Sequence, residues 1–294
     1  YYGVKVPKHP IALILKSSIR FLDFVIRLQF QFLMGKKIPT QNEMEIIDLN
    51  IKKDSALAVT DPKRMFIEGS ISSRWFTKFD LTKLEYGSGA FALASCLFSL
   101  SGISFKLSKK ILEFSKDKIN KNDVKSVIRY DFSAALHNLL SGNWLRDCYN
   151  KNLVNQGLSI GEVYYMSTLH VIHGQIILER GSPDVQWIVD KLSEIADVYD
   201  NDYAKEISFR LKTLFLMKYR KLHDALIESE AGIDFMRKTG NRPLLLIVYS
   251  LKIRTQMLLS DVNGAKDTLR NAEKLISEDT FVPFYFVSFF SVIR

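Results

Sequence analysis

The chain has 294 residues, 47% of them apolar and 25% charged, with a formal net charge of +9, a composition that is ordinary for a folded protein and argues against a chain disordered along its length. Seven prolines and fourteen glycines supply too few turn residues for an all-β fold, so helix is expected throughout. The two cysteines, Cys96 and Cys148, both fall in apolar helical patterns, where a thiol acts as a small hydrophobe; a reducing compartment fits, and cytoplasmic localisation is expected.

The chain opens at Tyr1 without methionine and stops just after the apolar stretch 281–293, which carries Phe284, Phe286, Phe289 and Phe290. It therefore reads as a piece of a longer polypeptide, truncated within its last repeat, and it shows no secretory n-region with a cleavage site. Residues 1–40 are expected to form a linker and an amphipathic helix that joins an upstream domain. Within 11–34, Lys16, Arg20, Asp23, Arg27 and Gln31 are spaced by three or four and form one polar stripe, too costly for a lipid-facing span. Packing on a neighbouring domain or first repeat is the first reading; a helix lying in a membrane interface is the second.

Basic residues concentrate in 1–40 and again in 102–129. Few aromatic residues interleave with the second run, so a solvated helix face is favoured over a nucleic-acid site. Helices are predicted at 41–59 and 62–79, separated by a stop, a cap and a helix-starting proline at Thr60, Asp61 and Pro62. A further apolar helix is predicted at 84–100.

Units of about forty residues follow. Leu100-Ser101-Gly102, Leu140-Ser141-Gly142 and Glu179-Arg180-Gly181 mark equivalent helix ends, and the later turns use Lys218-Tyr219-Arg220 and the run from Ser260 to Gly264. First helices are predicted at 124–140, 161–178, 203–217 and 243–259, and second helices at 105–117, 144–155, 185–199, 222–238 and 265–277. Short residues at Ser108, Cys148, Ala225 and Ala265 mark the crossing of each hairpin. Trp187 breaks that rule, which predicts a splayed third unit or a shifted register. Pro243 and Pro283 are also forty apart. The resulting fold is all-α, a right-handed α-solenoid of helical hairpins over 41–294, with a period of about 38–40 residues.

No residue set reaches a catalytic, cofactor or metal-site pattern. His170 and His173 lie three apart, without the glutamate and the spacing of four that a zinc protease requires, and Tyr86-Gly87-Ser88-Gly89-Ala90 lacks the Lys-Ser/Thr of a P-loop. The pairs Glu230 with Asp234 and Glu194 with Asp197 have the spacing of a solvated helix face.

Val4 to Pro7 and the amphipathic helix after it, Leu139-Leu140-Ser141-Gly142-Asn143-Trp144, and Lys238-Thr239-Gly240-Asn241-Arg242-Pro243 together resemble the tetratricopeptide-like region of large bacterial signalling proteins. In that family a STAND-type ATPase, joined to a nucleotide (adenylate or guanylate) cyclase or a protein kinase domain, is followed by helical repeats. The resemblance implies a non-enzymatic protein-interaction and regulatory module. Its partner would be a protein or peptide, or other domains of the same chain; nucleic acid and membrane are disfavoured. It also implies a concave face lined by first helices, on which helical position places Tyr130, His137, Asn138, Tyr165, His173, Arg210 and Lys252. The alternatives are a peptide-sensing transcription regulator and an interfacial membrane-associated scaffold.

Overall fold

Residues 10–84, 87–145, 149–182 and 184–277 are described by a computed structural model, and among them the architecture is all-α. Val4 to Pro7, Cys148, Pro283 and the phenylalanines of 281–293 lie outside these residues. The chain divides into two compact units, 1–141 and 142–294.

The first unit contains α1 (Pro10–Gln29), a 3₁₀ turn (Gln31–Leu33), α2 (Gln41–Thr60), α3 (Pro62–Phe76), α4 (Gly87–Ala92), α5 (Ala94–Ser101), α6 (Phe105–Lys116) and α7 (Val124–Leu140). Thr40 and Glu43 close a reciprocal capping box at the start of α2, and Asp61 accepts from the Arg64 amide at the start of α3. Helix α1 packs on α3, where Phe21 meets Phe66 at 6.4 Å, and its Phe24 and Leu28 join Phe79, Phe91, Phe98 and Ile111 in one apolar core. Asp23 accepts from both Arg27 and Arg74, tying the two helices together at the edge of that core.

The predicted helix 84–100 is divided at Leu93. There the Leu93 amide makes a long bond to the Gly89 carbonyl, 3.3 Å, and the Cys96 amide bonds back to Leu93 in a tighter turn. The glycine that weakens this helix also brings it close to α7. A Cβ on Gly89 would lie 2.3 Å from the Ser126 carbonyl oxygen, and the Gly89 amide donates to Ser126 Oγ at 2.9 Å. Ser99, Ser108 and His137 continue this polar seam between α5, α6 and α7, with Ser108 Oγ 2.9 Å from His137 Nδ1.

The second unit contains α8 (Lys151–Ser159), α9 (Val163–Glu179), α10 (Val185–Val198), α11 (Asp202–Lys218), α12 (Leu222–Thr239), α13 (Arg242–Leu258) and α14 (Val262–Ser277). Each packs on the next, α9 also packs on α11, and α11 on α13. The helix predicted at 144–155 is displaced towards the C-terminus, because Asn150 accepts from the amides of Asn152 and Leu153 and caps α8 there. Trp144 and Leu145 are exposed ahead of it.

The anomaly at Trp187 is a shift of one residue. Ser108, Ala225 and Ala265 are each the fourth residue of their helix, and the fourth residue of α10 is Ile188. All four are buried, whereas Trp187 is 39% exposed. The small residue at this crossing has moved to the opposite helix: a Cβ on Gly174 of α9 would meet Ile188 Cγ2 at 3.1 Å and Leu211 Cδ2 at 2.6 Å.

The repeat is most regular in the backbone. Left-handed residues end α5, α7, α9, α11 and α13 at Gly102, Gly142, Gly181, Arg220 and Ser260, successive intervals being 40, 39, 39 and 40. A second series, Gly161, Asp200 and Gly240, ends α8, α10 and α12 at intervals of 39 and 40. The closing bond recurs as well: the amides of Ser182, Lys221 and Asp261 each donate to the carbonyl five residues back, at 3.0, 2.9 and 2.8 Å.

Arg220 and Ser260 hold a conformation that disfavours a side chain. Replacing either by glycine is expected to raise stability by about 0.5 kcal/mol, read from the urea midpoint at unchanged slope; a lowered midpoint would contradict this account of the turn. Gly89→Val is expected to cost about 3 kcal/mol, because the clash is with backbone that has nowhere to move.

Candidate functional site

The seven residues expected on a partner-binding face occupy α7, α9, α11 and α13. Tyr130, His137 and Asn138 lie on α7 in the first unit, where His137 and Asn138 are buried and the His137 ring is held by Ser108. Tyr165 is buried in α9, edge-on to Tyr164 at 5.4 Å. Lys252 of α13 turns towards α12 and pairs with Glu230 at 3.0 Å. Arg210 and His173 are partly exposed, and each belongs to a constellation built from residues far apart in sequence.

Arg210 belongs to a ladder between the first helices α9 and α11. On α9, Tyr164, Thr168, Gln175 and Glu179 fall on one helical stripe. Tyr164 meets the ring of Tyr203 at 4.8 Å, and Thr168 Oγ1 lies 3.0 Å from the Tyr203 hydroxyl. Because the Thr168 hydroxyl already donates to the Tyr164 carbonyl, Tyr203 is the donor. Arg210 donates to Gln175 Oε1 at 2.8 Å, and Lys218 pairs with Glu179 at 2.9 Å. Burial pushes the Tyr203 phenol above its ordinary range, against the opposing hydrogen bonds of Thr168 and Tyr164.

One turn further along the stack, the buried Glu206 of α11 accepts from the Thr239 hydroxyl and, at 2.5 Å, from Asn241 Nδ2. Asn241 Oδ1 meanwhile accepts from the Leu244 amide and caps α13. Burial raises the Glu206 carboxyl, and these two donors offset it only in part. This contact fixes where one hairpin hands over to the next.

His173 faces the other side of α9 from Gln175, two residues and about 200° away. Its ring stacks on Tyr149 at 4.1 Å with 11° between planes. Trp187 lies 5.9 Å from Tyr149, and His170 meets the edges of both. His170 is buried, and its Nδ1 lies 2.9 Å from the Met166 carbonyl, which only accepts, so Nδ1 carries the proton. Nε2 is then the acceptor for the Tyr149 hydroxyl at 3.3 Å. With both nitrogens engaged, the two histidines do not present a pair of free lone pairs to a metal, and among the described residues no group of three metal-ligating side chains gathers.

Sequence reading named His173 and Arg210 for one face, whereas they belong to constellations on opposite sides of α9, and it did not name Tyr149, Tyr203 or Glu206. Tyr149 sits in the connection before α8, 21 residues from His170, and no local periodicity links a loop residue to a helix face. Compared with known proteins, the chain matches no family model, no curated protein and no solved structure.

Burial holds the His170 imidazole down at about 4, with the Lys191 and His173 charges adding to the effect and the Met166 carbonyl and Glu194 opposing it. Unfolded, the ring takes a proton near 6.5; folded, it does so only near 4. The unfolded state therefore binds more protons across that window, and stability falls as pH drops through it, by up to about 1.4 kcal/mol per pH unit. His170→Gln is expected to remove that slope from a pH series of urea midpoints, and an unchanged slope would assign the titration elsewhere. Glu206→Ala is expected to cost about 2 kcal/mol by stranding the buried Asn241 amide, while Glu179→Ala, at an exposed pair, costs under about 0.5 kcal/mol.

Proposed function

We propose that this chain is the helical-repeat segment of a multidomain bacterial signalling protein, a right-handed tetratricopeptide-like α-solenoid that binds a protein or peptide and carries no catalysis of its own. The single observation that supports the reading most is the pair of interleaved left-handed series, spaced by 39–40 residues. Such a spacing is what stacked hairpins require when each buries its apolar face on the next.

In this reading the partner lies across the first helices α9 and α11, where Tyr164, Gln175, Tyr203 and Arg210 are partly exposed in a fixed array. Their mutual bonds lower the entropy lost when a peptide engages them. Regulation follows from differential affinity: a partner that prefers one spacing of the hairpins biases any domain attached to them.

The test immobilises the full chain, recovers the bound protein, and measures its affinity for Arg210→Glu and for Arg270→Glu on α14. Arg210→Glu is expected to weaken binding about tenfold and Arg270→Glu to leave it unchanged. Recovery of no partner, together with turnover of a small substrate by the chain itself, would overturn the proposal.

A further inference from the structure

Helix α1 has two apolar faces, and the first core uses only one. Phe21, Phe24, Val25 and Leu28 pack inward. Leu15, Ile19, Leu22 and Ile26 of α1 recur at intervals of three or four and stand outward, and Phe30 and Leu33 just beyond its end are exposed too, all six between 39% and 67%, with Phe32 beside them 81% exposed. A surface helix of a soluble fold turns a polar face to water; here a continuous row of large apolar side chains takes that place.

The border of this row is basic. On one side α1 places Lys16 and Arg20, and on the other Gln29 is held by Lys110 Nζ at 2.7 Å. The one acid among the described residues of α1, Asp23, is taken up by Arg27 and Arg74. Arg20 has no carboxylate partner among the described residues, and burial together with the Arg74, Arg20 and Lys37 charges holds the Lys78 ammonium below the usual lysine range. The asymmetry extends to the whole unit: residues 1–141 hold 22 Lys and Arg against 13 Asp and Glu, while residues 142–294 hold 19 of each. All of the net +9 therefore belongs to the unit that carries α1.

We propose that the outward face of α1 docks on an anionic lipid surface, its Leu, Ile and Phe row entering the interface while Arg20, Lys110 and their neighbours meet the phosphates. No described helix is long and apolar enough to cross a membrane, so the helix lies in the interfacial plane. Two other occupants fit less well. A second copy would set two basic borders against each other. A groove shaped for a partner helix shades its lining, whereas Ile19 and Leu22 at the middle of the row are 67% and 61% exposed.

The full chain is sedimented with vesicles of phosphatidylcholine alone and of an equimolar phosphatidylcholine and phosphatidylserine mixture. Binding is expected to the mixed vesicles, weak binding to the neutral ones, and a steep loss with added salt. The double variant Leu22→Glu with Ile26→Glu is expected to lower partitioning at least about tenfold, and Arg20→Gln with Lys110→Gln to lower it several-fold on the anionic vesicles alone. Both pairs are surface changes, and Ile19→Gln serves as a milder third variant if the urea midpoint of the first moves. Absence of binding to the mixed vesicles overturns the proposal, as does binding that these variants leave intact. A concentration-dependent dimer that Leu22→Glu abolishes overturns it in favour of a second copy.

Discussion

A helix that must reverse direction every few turns has to end cleanly, and in this protein one residue in left-handed conformation does that at each repeat. It lets the following amide reach the carbonyl five residues back, which closes the last turn and aims the next helix along the one just finished. Because the same bond recurs at Ser182, Lys221 and Asp261, the turns from α9 to α10, α11 to α12 and α13 to α14 close in the same way. The ladder of Tyr203, Arg210 and Lys218 against Thr168, Gln175 and Glu179 depends on that. Offsets of 35, 35 and 39 residues match side chains across two helices only if the turns between them consume a nearly constant length of chain.

Much of this was legible in the sequence, and the rest was hidden for identifiable reasons. Gly102, Gly142 and Gly181 announce their turns because glycine is the residue that adopts this conformation without penalty. Arg220 and Ser260 occupy the same place without the signal, held there by the bonds around them. The crossing residues are legible where one small side chain always comes from the second helix. In the third hairpin the small residue is Gly174 of the first helix, so reading Trp187 as the equivalent position is wrong by one. A helix start set by a single Asn150 cap, and a helix end set by a weak bond across Gly89, are decided by one or two atoms that a periodicity cannot weigh.

The site residues divide in the same way. Helical position named Arg210 and His173 for one face, but His173 stands on the other side of α9 from Gln175, the residue that Arg210 meets. It does not find pairs that depend on tertiary closure, such as Glu206 with Asn241, 35 residues apart, or Tyr149 with His173. Nor does it separate a histidine that binds from one that is built in. His137 and His170 are both buried and both occupied by hydrogen bonds, and a neutral imidazole so placed serves packing with a polar edge satisfied.

The two units differ in the physics of their surfaces. The second unit balances its charges and spends them locally, on pairs such as Lys212 with Glu228 and Lys252 with Glu230 that link neighbouring helices. The first unit holds an excess of cations, several of them beside the uncovered apolar row of α1. Exposed apolar surface invites non-specific association, and an excess of one charge opposes self-association while leaving attraction to an anionic surface intact. On the proposal that the α1 face docks on an anionic lipid surface, the same positive excess that opposes self-association also favours that surface.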